Sequence, residues 1–284
     1  MIRAIVVFAM LFTTSFVRAE TITGSATKCT RAGLQSVVDS YLEAVKKGAP
    51  SSMPLASQVK YIENSKETVL GKGFWQTAVD IDFHRSLLDV DACETFTEVI
   101  HTNKSHPYVI GTRLKVVDGK IAEIETLATN KGDWLFNADN YLMYSQKEKW
   151  DVIPAGQRSD RQTLINAAAA YFDVFTDGSA KVPWGTPCAR LEGGLYTTKD
   201  FNDPKASCNI GITPDPKVKL THRHYVVDPE IGAVVGFVHF GNDKVPDSHL
   251  FRVENGKLRY IHTLTVCLIP NCGFPVNPKI QPPQ

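Results

Sequence analysis

The order of apolar and polar residues repeats once along the chain. Apolar side chains recur at helical spacing in two segments, which contain Leu34, Val37, Val38, Tyr41 and Leu42, and then Leu164, Ala168, Tyr171, Phe172 and Phe175. After each predicted helix come a glycine, a proline and a glutamate, which are Gly48, Pro54 and Glu63 in the first copy and Gly178, Pro183 and Glu192 in the second. The chain therefore consists of two halves with one plan.

Strand-like alternation follows in both halves. HRSLLDV corresponds to HRHYVVD, ETFTEVI to AVVGFVHF, and GTRLKVVDGKIAEIETLAT to SHLFRVENGKLRYIHTLTV. The last pair contains Asp118-Gly119 and Asn255-Gly256, and these dipeptides between alternating strands are strong β-hairpin signals. We predict an α+β fold in which each half is one helix, or a few short ones, followed by an antiparallel meander.

The N-terminus has the pattern of a secretory signal peptide. Arg3 precedes an apolar stretch, and Val17 and Ala19 suit cleavage after Ala19, although an uncleaved anchor is the alternative. We predict a signal peptide (1–19), two domains (28–150 and 157–273) and a flexible tail (274–284). The mature protein is expected to be secreted or to reside in the lumen of the secretory pathway, with no membrane contact.

Six cysteines in an oxidising compartment favour three disulfides, for which the sequence alone leaves fifteen pairings open. Cys188 and Cys208 bracket one loop, Cys267 and Cys272 bracket a tight turn, and Cys29 and Cys93 are left to join helix to sheet. We therefore predict the pairs Cys29–Cys93, Cys188–Cys208 and Cys267–Cys272.

Charge and motifs exclude several classes of function. The formal net charge is +1 without a basic run, so we predict no nucleic-acid partner. We also predict no metal site and no cofactor, because neither the histidine spacing nor any phosphate-binding or dinucleotide motif supports one. Asn103, in Asn103-Lys104-Ser105, is the expected glycosylation site.

The runs GAPSSMPLASQVKYIENSKETVLGKGFW and GTRLKVVDGKIAEIETL resemble the snoaL-like branch of the cone-shaped fold shared with nuclear transport factor two and ketosteroid isomerase. The second half, with CARLEGG and THRHYVVDPEIGAVVGFVHFG, resembles the paired domain of secreted fungal proteins of this group. The resemblance implies two tandem cone-shaped halves, in each of which helices pack on a curved antiparallel sheet.

A closer similarity is to fungal hetero-Diels–Alderases that make tropolonic sesquiterpenoids. It implies an intermolecular cycloaddition between a tropolone quinone methide and a humulene-type sesquiterpene. The 4 Trp, 14 Phe and 9 Tyr residues suit an apolar ligand pocket and small apolar substrates. The alternatives are a proton-transfer isomerase, cyclase or dehydratase and a secreted binder of an apolar metabolite, and homodimer formation stays open.

Candidate site residues come from two strands. Leu258, Tyr260, His262, Leu264 and Val266 alternate onto one face, and by the repeat Glu125 corresponds to His262. In THRHYVVD, His222 and His224 share one face and Arg223 and Tyr225 the other, and the sequence leaves open which face is inward. We predict His262 and Tyr225 as catalytic residues and, as substrate-binding residues, His222, His224, Arg223, Tyr260, Trp184 and Glu125.

Overall fold

The structure, a computed structural model, describes residues 29–198, 200 and 203–273. The predicted signal peptide and tail lie outside the described residues. None of the described helices has the length and apolar character needed to span a membrane.

Within the described residues, three α-helices form: α1 (Arg31–Lys47), α2 (Ala138–Ser145) and α3 (Arg161–Asp173). The first half contributes strands β1 (Leu55–Glu63), β2 (Lys66–Thr68), β3 (Phe83–Asp89), β4 (Glu94–His101), β5 (Tyr108–Val117) and β6 (Lys120–Thr129). The second half contributes β7 (Trp184–Glu192), β8 (Leu195–Tyr196), β9 (Leu220–Asp228), β10 (Ala233–Phe240), β11 (Val245–Glu254) and β12 (Lys257–Thr265). Short 3₁₀ turns lie at Pro50–Ser52, Gly73–Gln76, Ala155–Gln157, Pro229–Ile231 and Pro270–Gly273.

The two long helices begin at residues that cap them. Thr30 Oγ1 accepts a hydrogen bond from the backbone N–H of Gly33, and Asp160 Oδ1 accepts one from Thr163. Such N-terminal caps stabilise a helix by about 1 kcal/mol each. α1 ends at Gly48, whose φ of 58° is a left-handed conformation that glycine adopts at little cost.

Each half has one six-stranded sheet, with the strand orders β2-β1-β6-β5-β4-β3 and β8-β7-β12-β11-β10-β9. β1 pairs in parallel with β6 and β7 pairs in parallel with β12, whereas the other neighbours are antiparallel. The predicted α+β class with two tandem halves is confirmed. The segments that end in Glu63 and Glu192 are strands, so each antiparallel meander gains a parallel neighbour.

The two sheets pack face to face, with α1 and α3 on the outer sides. One apolar core lies between α1 and the first sheet and another between α3 and the second sheet. Two further clusters lie between the sheets, where Phe96 meets Phe237 and where Tyr141 of α2 lies close to Tyr260. Every central strand is therefore covered on both sides.

A β-bulge interrupts the alternation at the same place in each half. On β6, Ala122 is the extra residue opposite the step from Lys115 to Val116, and on β12, Arg259 is the extra residue opposite the step from Arg252 to Val253. Leu258 consequently packs in the core under α3, whereas Tyr260 lies between the sheets. The prediction that Leu258, Tyr260 and His262 share one face is wrong for Leu258.

A second bulge, on β9, shifts the repeat itself. Phe237 pairs with His224 and His239 pairs with Thr221, so two residues, His222 and Arg223, lie opposite one. Asp228 pairs with the first residue of β10 just as Asp89 pairs with the first residue of β4. The alignment of His84-Arg85 with His222-Arg223 is therefore wrong by one residue.

Asp89 and Asp228 join the halves by reciprocal hydrogen bonds, each to a backbone N–H of the opposite half. Asp228 accepts a hydrogen bond from the backbone N–H of Leu88 at 2.9 Å, and Asp89 accepts one from Val227 at 2.8 Å. The arginine that opens the helix of the opposite half also pairs with each carboxylate, Arg31 with Asp228 and Arg161 with Asp89. The halves thus meet like the subunits of a twofold-symmetric dimer.

Disulfides join Cys29 to Cys93, Cys188 to Cys208 and Cys267 to Cys272. These are the three pairs expected from the sequence. The first ties the start of α1 to the β3–β4 turn, and the second ties β7 to the loop before β9.

Candidate active site in the second half

A row of side chains crosses the helix-facing side of the second sheet. In register from β7 to β9, its members are Glu192, Thr263, His249, Gly236 and Tyr225. The rings of His249 and Tyr225 both lie against Phe172 of α3. We call these five residues the second polar row.

His249 pairs with an aspartate two residues earlier on the same strand face. Its Nδ1 lies 2.7 Å from Oδ1 of Asp247, within ion-pairing distance but outside hydrogen-bond geometry. Both side chains are buried, and Thr265 Oγ1 donates to Oδ2 of Asp247 at 2.6 Å. The carboxylate is thus close enough to interact electrostatically with the Nδ1 side of the imidazole, which leaves Nε2 as the nitrogen for proton transfer.

Tyr171 reaches this pair from α3. It is fully buried, and its ring centroid lies 5.2 Å from that of His249. Burial raises the pKa of Tyr171 far above its usual value, and the nearby charge of Arg190 opposes this only in part. The hydroxyl is therefore protonated at neutral pH, and it makes no well-aligned hydrogen bond to the described residues.

Arg190 lies at the end of the second polar row, next to Glu192. It forms an ion pair with Glu192 and donates hydrogen bonds to the backbone carbonyls of Cys208 at 2.9 Å and Ile210 at 2.5 Å. The Cys188–Cys208 disulfide fixes the same loop. Arg190 is thereby held in one position beside Tyr171.

Two further hydroxyls in the interior lack a well-aligned partner among the described residues: Thr263 Oγ1 and Tyr225 Oη. A buried polar group without a hydrogen bond costs about 1–3 kcal/mol. Gly236 lies between these strands, where a Cβ would come within 2.6 Å of the Phe172 ring. The second polar row therefore keeps unused donors and acceptors around the Asp247–His249 pair, an arrangement that suits a polar ligand.

The corresponding row of the first half consists of Glu63, Thr126, Thr112, Thr97 and Ser86. We call it the first polar row. Tyr41 of α1 donates to Thr112 at 2.8 Å, Thr112 lies 3.0 Å from Thr126, and Ser86 lies 3.0 Å from Thr97. Its hydroxyls are thus bonded to one another, which suits a structural role.

His262 does not lie on the helix-facing side of the second sheet, where the second polar row lies. It lies between the two sheets with its side chain fully buried. Its Nδ1 is 3.2 Å from both carboxylate oxygens of Glu98, and its Nε2 is 2.6 Å from Glu148. The prediction that His262 and Tyr225 act on one substrate is wrong, because Tyr225 is on the opposite side of the sheet, against Phe172.

The predicted substrate-binding residues do not meet at one site. Tyr260 stacks on Trp150 between the halves, and Glu125 bonds to Arg113 at 2.9 Å on the same side. His224 bonds to Glu94 of the first half at 2.7 Å, and His222 stacks on His239. These four residues lie apart from the second polar row, and their role as ligand contacts stays a prediction.

Arg223 and Trp184 lie on the helix-facing side of the second sheet. The guanidinium of Arg223 is 5.6 Å from the ring centroid of Phe172 and pairs with Asp173 at 2.8 Å. Trp184 packs edge-on against Tyr171. Tyr225 itself belongs to the second polar row, and Arg223 and Trp184 are the other predicted residues close to it.

Sequence reasoning missed Tyr171, Asp247 and His249 as site residues. The available signal was in SHLFRVENG, where alternation puts His249 and Phe251 on one strand face. The repeat also sets His249 at the position of Thr112, an exchange of a hydroxyl for an imidazole.

Residues 27–128 and residues 157–265 each match the family described as Domain of unknown function (DUF8021). The two matches cover more than half of the chain, so the chain belongs to this family. The topology of the two sheets confirms the two tandem α+β halves predicted from the sequence. No curated protein sequence is significantly similar to the chain.

Similar solved structures correspond to part of the chain. A candidate ketosteroid isomerase from Kribbella flavida is 16% identical over 34% of this chain and 78% of its own, with a TM-score of 0.26. An NTF-2 like protein of unknown function from Burkholderia xenovorans is 9% identical over 42% and 94%, with a TM-score of 0.29. AclR from Streptomyces galilaeus, described as a candidate hydroxylase, is 13% identical over 45% and 92%, with a TM-score of 0.27.

Proposed function

We propose that the protein is an acid–base enzyme of small-molecule metabolism, an isomerase, dehydratase or cyclase, that works in the interior of its second half. The observation that carries this proposal is the buried Asp247–His249 pair beside the protonated Tyr171 hydroxyl. An ionisable pair enclosed with a hydrogen-bond donor is the arrangement that proton transfer requires.

The mechanism assigns one role to each group. The Asp247 carboxylate faces Nδ1–H of His249 and stabilises the imidazolium, and Nε2 takes a proton from a carbon next to a substrate carbonyl. Tyr171 donates a hydrogen bond to the carbonyl oxygen, where negative charge develops. The proton then returns from Nε2 to another carbon in an isomerisation, or to a departing hydroxyl in a dehydration.

A test that needs no knowledge of the natural substrate is the Kemp elimination of nitrobenzisoxazole. A base removes the ring C–H proton, the N–O bond opens, and a coloured cyanophenolate forms. We expect wild-type protein to accelerate this reaction and Asp247→Asn to slow it at least tenfold, within the roughly 10²–10⁴-fold worth of a general base. Asp243→Asn, in the exposed turn between β10 and β11, is the matched control. Equal rates for wild-type protein and Asp247→Asn would contradict the proposal.

The resemblance to fungal hetero-Diels–Alderases supports a second proposal, the cycloaddition of a tropolone quinone methide with a humulene-type sesquiterpene. The observation that favours it is the aromatic surround of the Tyr171 ring, formed by Phe172, Phe251 and Trp184. A cycloaddition needs two partners held in a reactive pose and moves no proton. It would therefore survive Asp247→Asn but slow with Tyr171→Phe.

Incubation of both substrates with each variant, followed by chiral chromatography of the adduct, separates the two proposals. Binding of the substrates without turnover would instead identify a carrier of apolar metabolites.

We further propose that the protein works in the secretory pathway or outside the cell. Three disulfides suit an oxidising compartment, and Asn103 lies exposed in the β4–β5 turn. N-terminal sequencing of the protein from its producing cells should start at Glu20. Endoglycosidase treatment should lower its mass, and Asn103→Gln should abolish that change.

A further inference from the structure

An open groove of about 560 Å³ lies at the outer end of the second half. It runs between the C-terminal end of α3, with the turn that follows, and the start of β9. Its walls include Asp173, Lys181, Lys219 and Arg223. Small-molecule sites typically occupy roughly 300–1,000 Å³, so this groove has room for one.

The groove borders the second polar row through two side chains. Arg223 lines the groove and lies over the Phe172 ring at 5.6 Å. The other neighbours of Phe172 include His249, at 5.3 Å between ring centroids, and Tyr225, at 6.4 Å. A ligand in the groove would thus be one ring away from the Asp247–His249 pair.

The groove favours negative charge. Its lining residues include three cations, Lys181, Lys219 and Arg223, against two carboxylates, Asp173 and Asp177. Arg223 already holds a carboxylate, because its Nη1 lies 2.8 Å from Oδ1 of Asp173. Asp173 is 53% exposed, and such exposed ion pairs contribute only about 0–1 kcal/mol.

We propose that this groove binds the anionic group of the substrate, a carboxylate or an acidic enol, and that Arg223 is the residue that selects it. The incoming anion replaces Asp173 on the planar guanidinium, which matches two oxygens at once. Phe172, which is fully buried, separates the bound anion from His249. The proposal rests on the proposed function in treating the groove as the entrance to the acid–base site.

The test compares two fluorescent dyes that differ in one group. Anilinonaphthalene sulfonate carries an anion, and phenylnaphthylamine is the same aromatic system without it. Wild-type protein should bind the sulfonate dye more tightly. Arg223→Gln should weaken binding of the sulfonate dye about tenfold, the worth of one hydrogen-bonded charge, and leave the neutral dye unchanged.

Asp173→Asn supplies a readout that a merely structural arginine would not give. It should strengthen binding of the sulfonate dye, because it frees Arg223 from its competitor. Lys120→Gln removes one positive charge from the exposed start of β6 in the first half and is the matched control. Thermal unfolding of each variant checks that it is folded.

The proposal is overturned if wild-type protein binds neither dye, if Arg223→Gln affects both dyes alike or neither, or if Asp173→Asn weakens binding of the sulfonate dye. None of these measurements involves proton transfer. A protein that fails them but still loses Kemp elimination with Asp247→Asn keeps its proposed function and loses only this site.

Discussion

In each half, a tyrosine from the long helix lies over the middle of the polar row. In the first half, Tyr41 donates to Thr112, and the hydroxyls beside it bond to one another. In the second half, Tyr171 lies over His249, and neither Tyr171 nor Thr263 has a well-aligned hydrogen-bond partner among the described residues. One scaffold thus carries a hydrogen-bonded layer in one copy and an ionisable, incompletely bonded layer in the other, and this difference supports the proposal that the second copy holds the active site.

The largest expected effect on stability concerns His262 and its counterpart Glu125. His262→Ala leaves Glu98 and Glu148 buried without their shared cation and should lower the free energy of unfolding by about 3–5 kcal/mol. Glu125→Ala should cost about 1 kcal/mol, because Arg113 keeps Glu94 and Glu123 as partners. Urea titrations of the two variants measure this difference, and equal losses would contradict the assigned contacts.

The same histidine makes stability depend on pH. Burial alone would lower the pKa of His262, but the charges of Glu148 and Glu98 outweigh it and raise the pKa from 6.5 to about 9. The contribution of His262 is therefore fully present below pH 6.5 and is lost as the pH rises through about 9. The stability difference between wild-type protein and His262→Gln should shrink between these limits in urea titrations, and a constant difference would contradict the charged state.

The two tyrosines should respond in opposite ways to removal of the hydroxyl. Tyr171→Phe should slow proton transfer roughly 10²–10³-fold, the effect of losing one donor to a developing oxyanion, and leave stability nearly unchanged. Tyr41→Phe should leave the rate unchanged and cost about 1 kcal/mol of stability, because it breaks the bond to Thr112. Kemp elimination rates and thermal unfolding of both variants provide the comparison, and a slower rate in Tyr41→Phe would break it.

A smaller difference between the halves is expected at Asp89 and Asp228, whose contacts are alike. Asp89→Asn and Asp228→Asn each weaken a bond to a backbone N–H and an ion pair with an arginine across the interface. Each should cost about 1–3 kcal/mol, and the two losses should be similar. Chemical denaturation of both variants tests this symmetry, which a large inequality would disprove.

Local patterns were enough to predict the two long helices, the hairpins and the two-half plan, but not α2. The apolar spacing around Tyr41 and Tyr171 and the turns at Asp118-Gly119 and Asn255-Gly256 act within a few residues. The sheet face that each strand residue occupies was harder to predict from the sequence. A single bulge, such as the one opposite Arg252 and Val253, reverses the alternation beyond it.

The site itself depended on contacts between distant segments. His262 looked like a ligand residue because its strand neighbours are apolar, yet its partners, Glu98 and Glu148, are 164 and 114 residues away in sequence. His249 was not predicted as a site residue, because nothing in its own strand indicates that Tyr171 packs against it. A histidine between carboxylates and a histidine beside a buried tyrosine are indistinguishable until the packing of both faces is known.

The most direct test of the account exchanges the residue that distinguishes the two rows. His249→Thr gives the second row the residue of the first, and Thr112→Val alters the equivalent position of the first half with almost no change in shape. The account predicts that His249→Thr lowers the rate of Kemp elimination by roughly 10²–10⁴-fold while the folded fraction stays high, and that Thr112→Val leaves the rate at its wild-type value. Undiminished catalysis in folded His249→Thr, or an equal loss in Thr112→Val, would contradict the claim that the second half holds the active site.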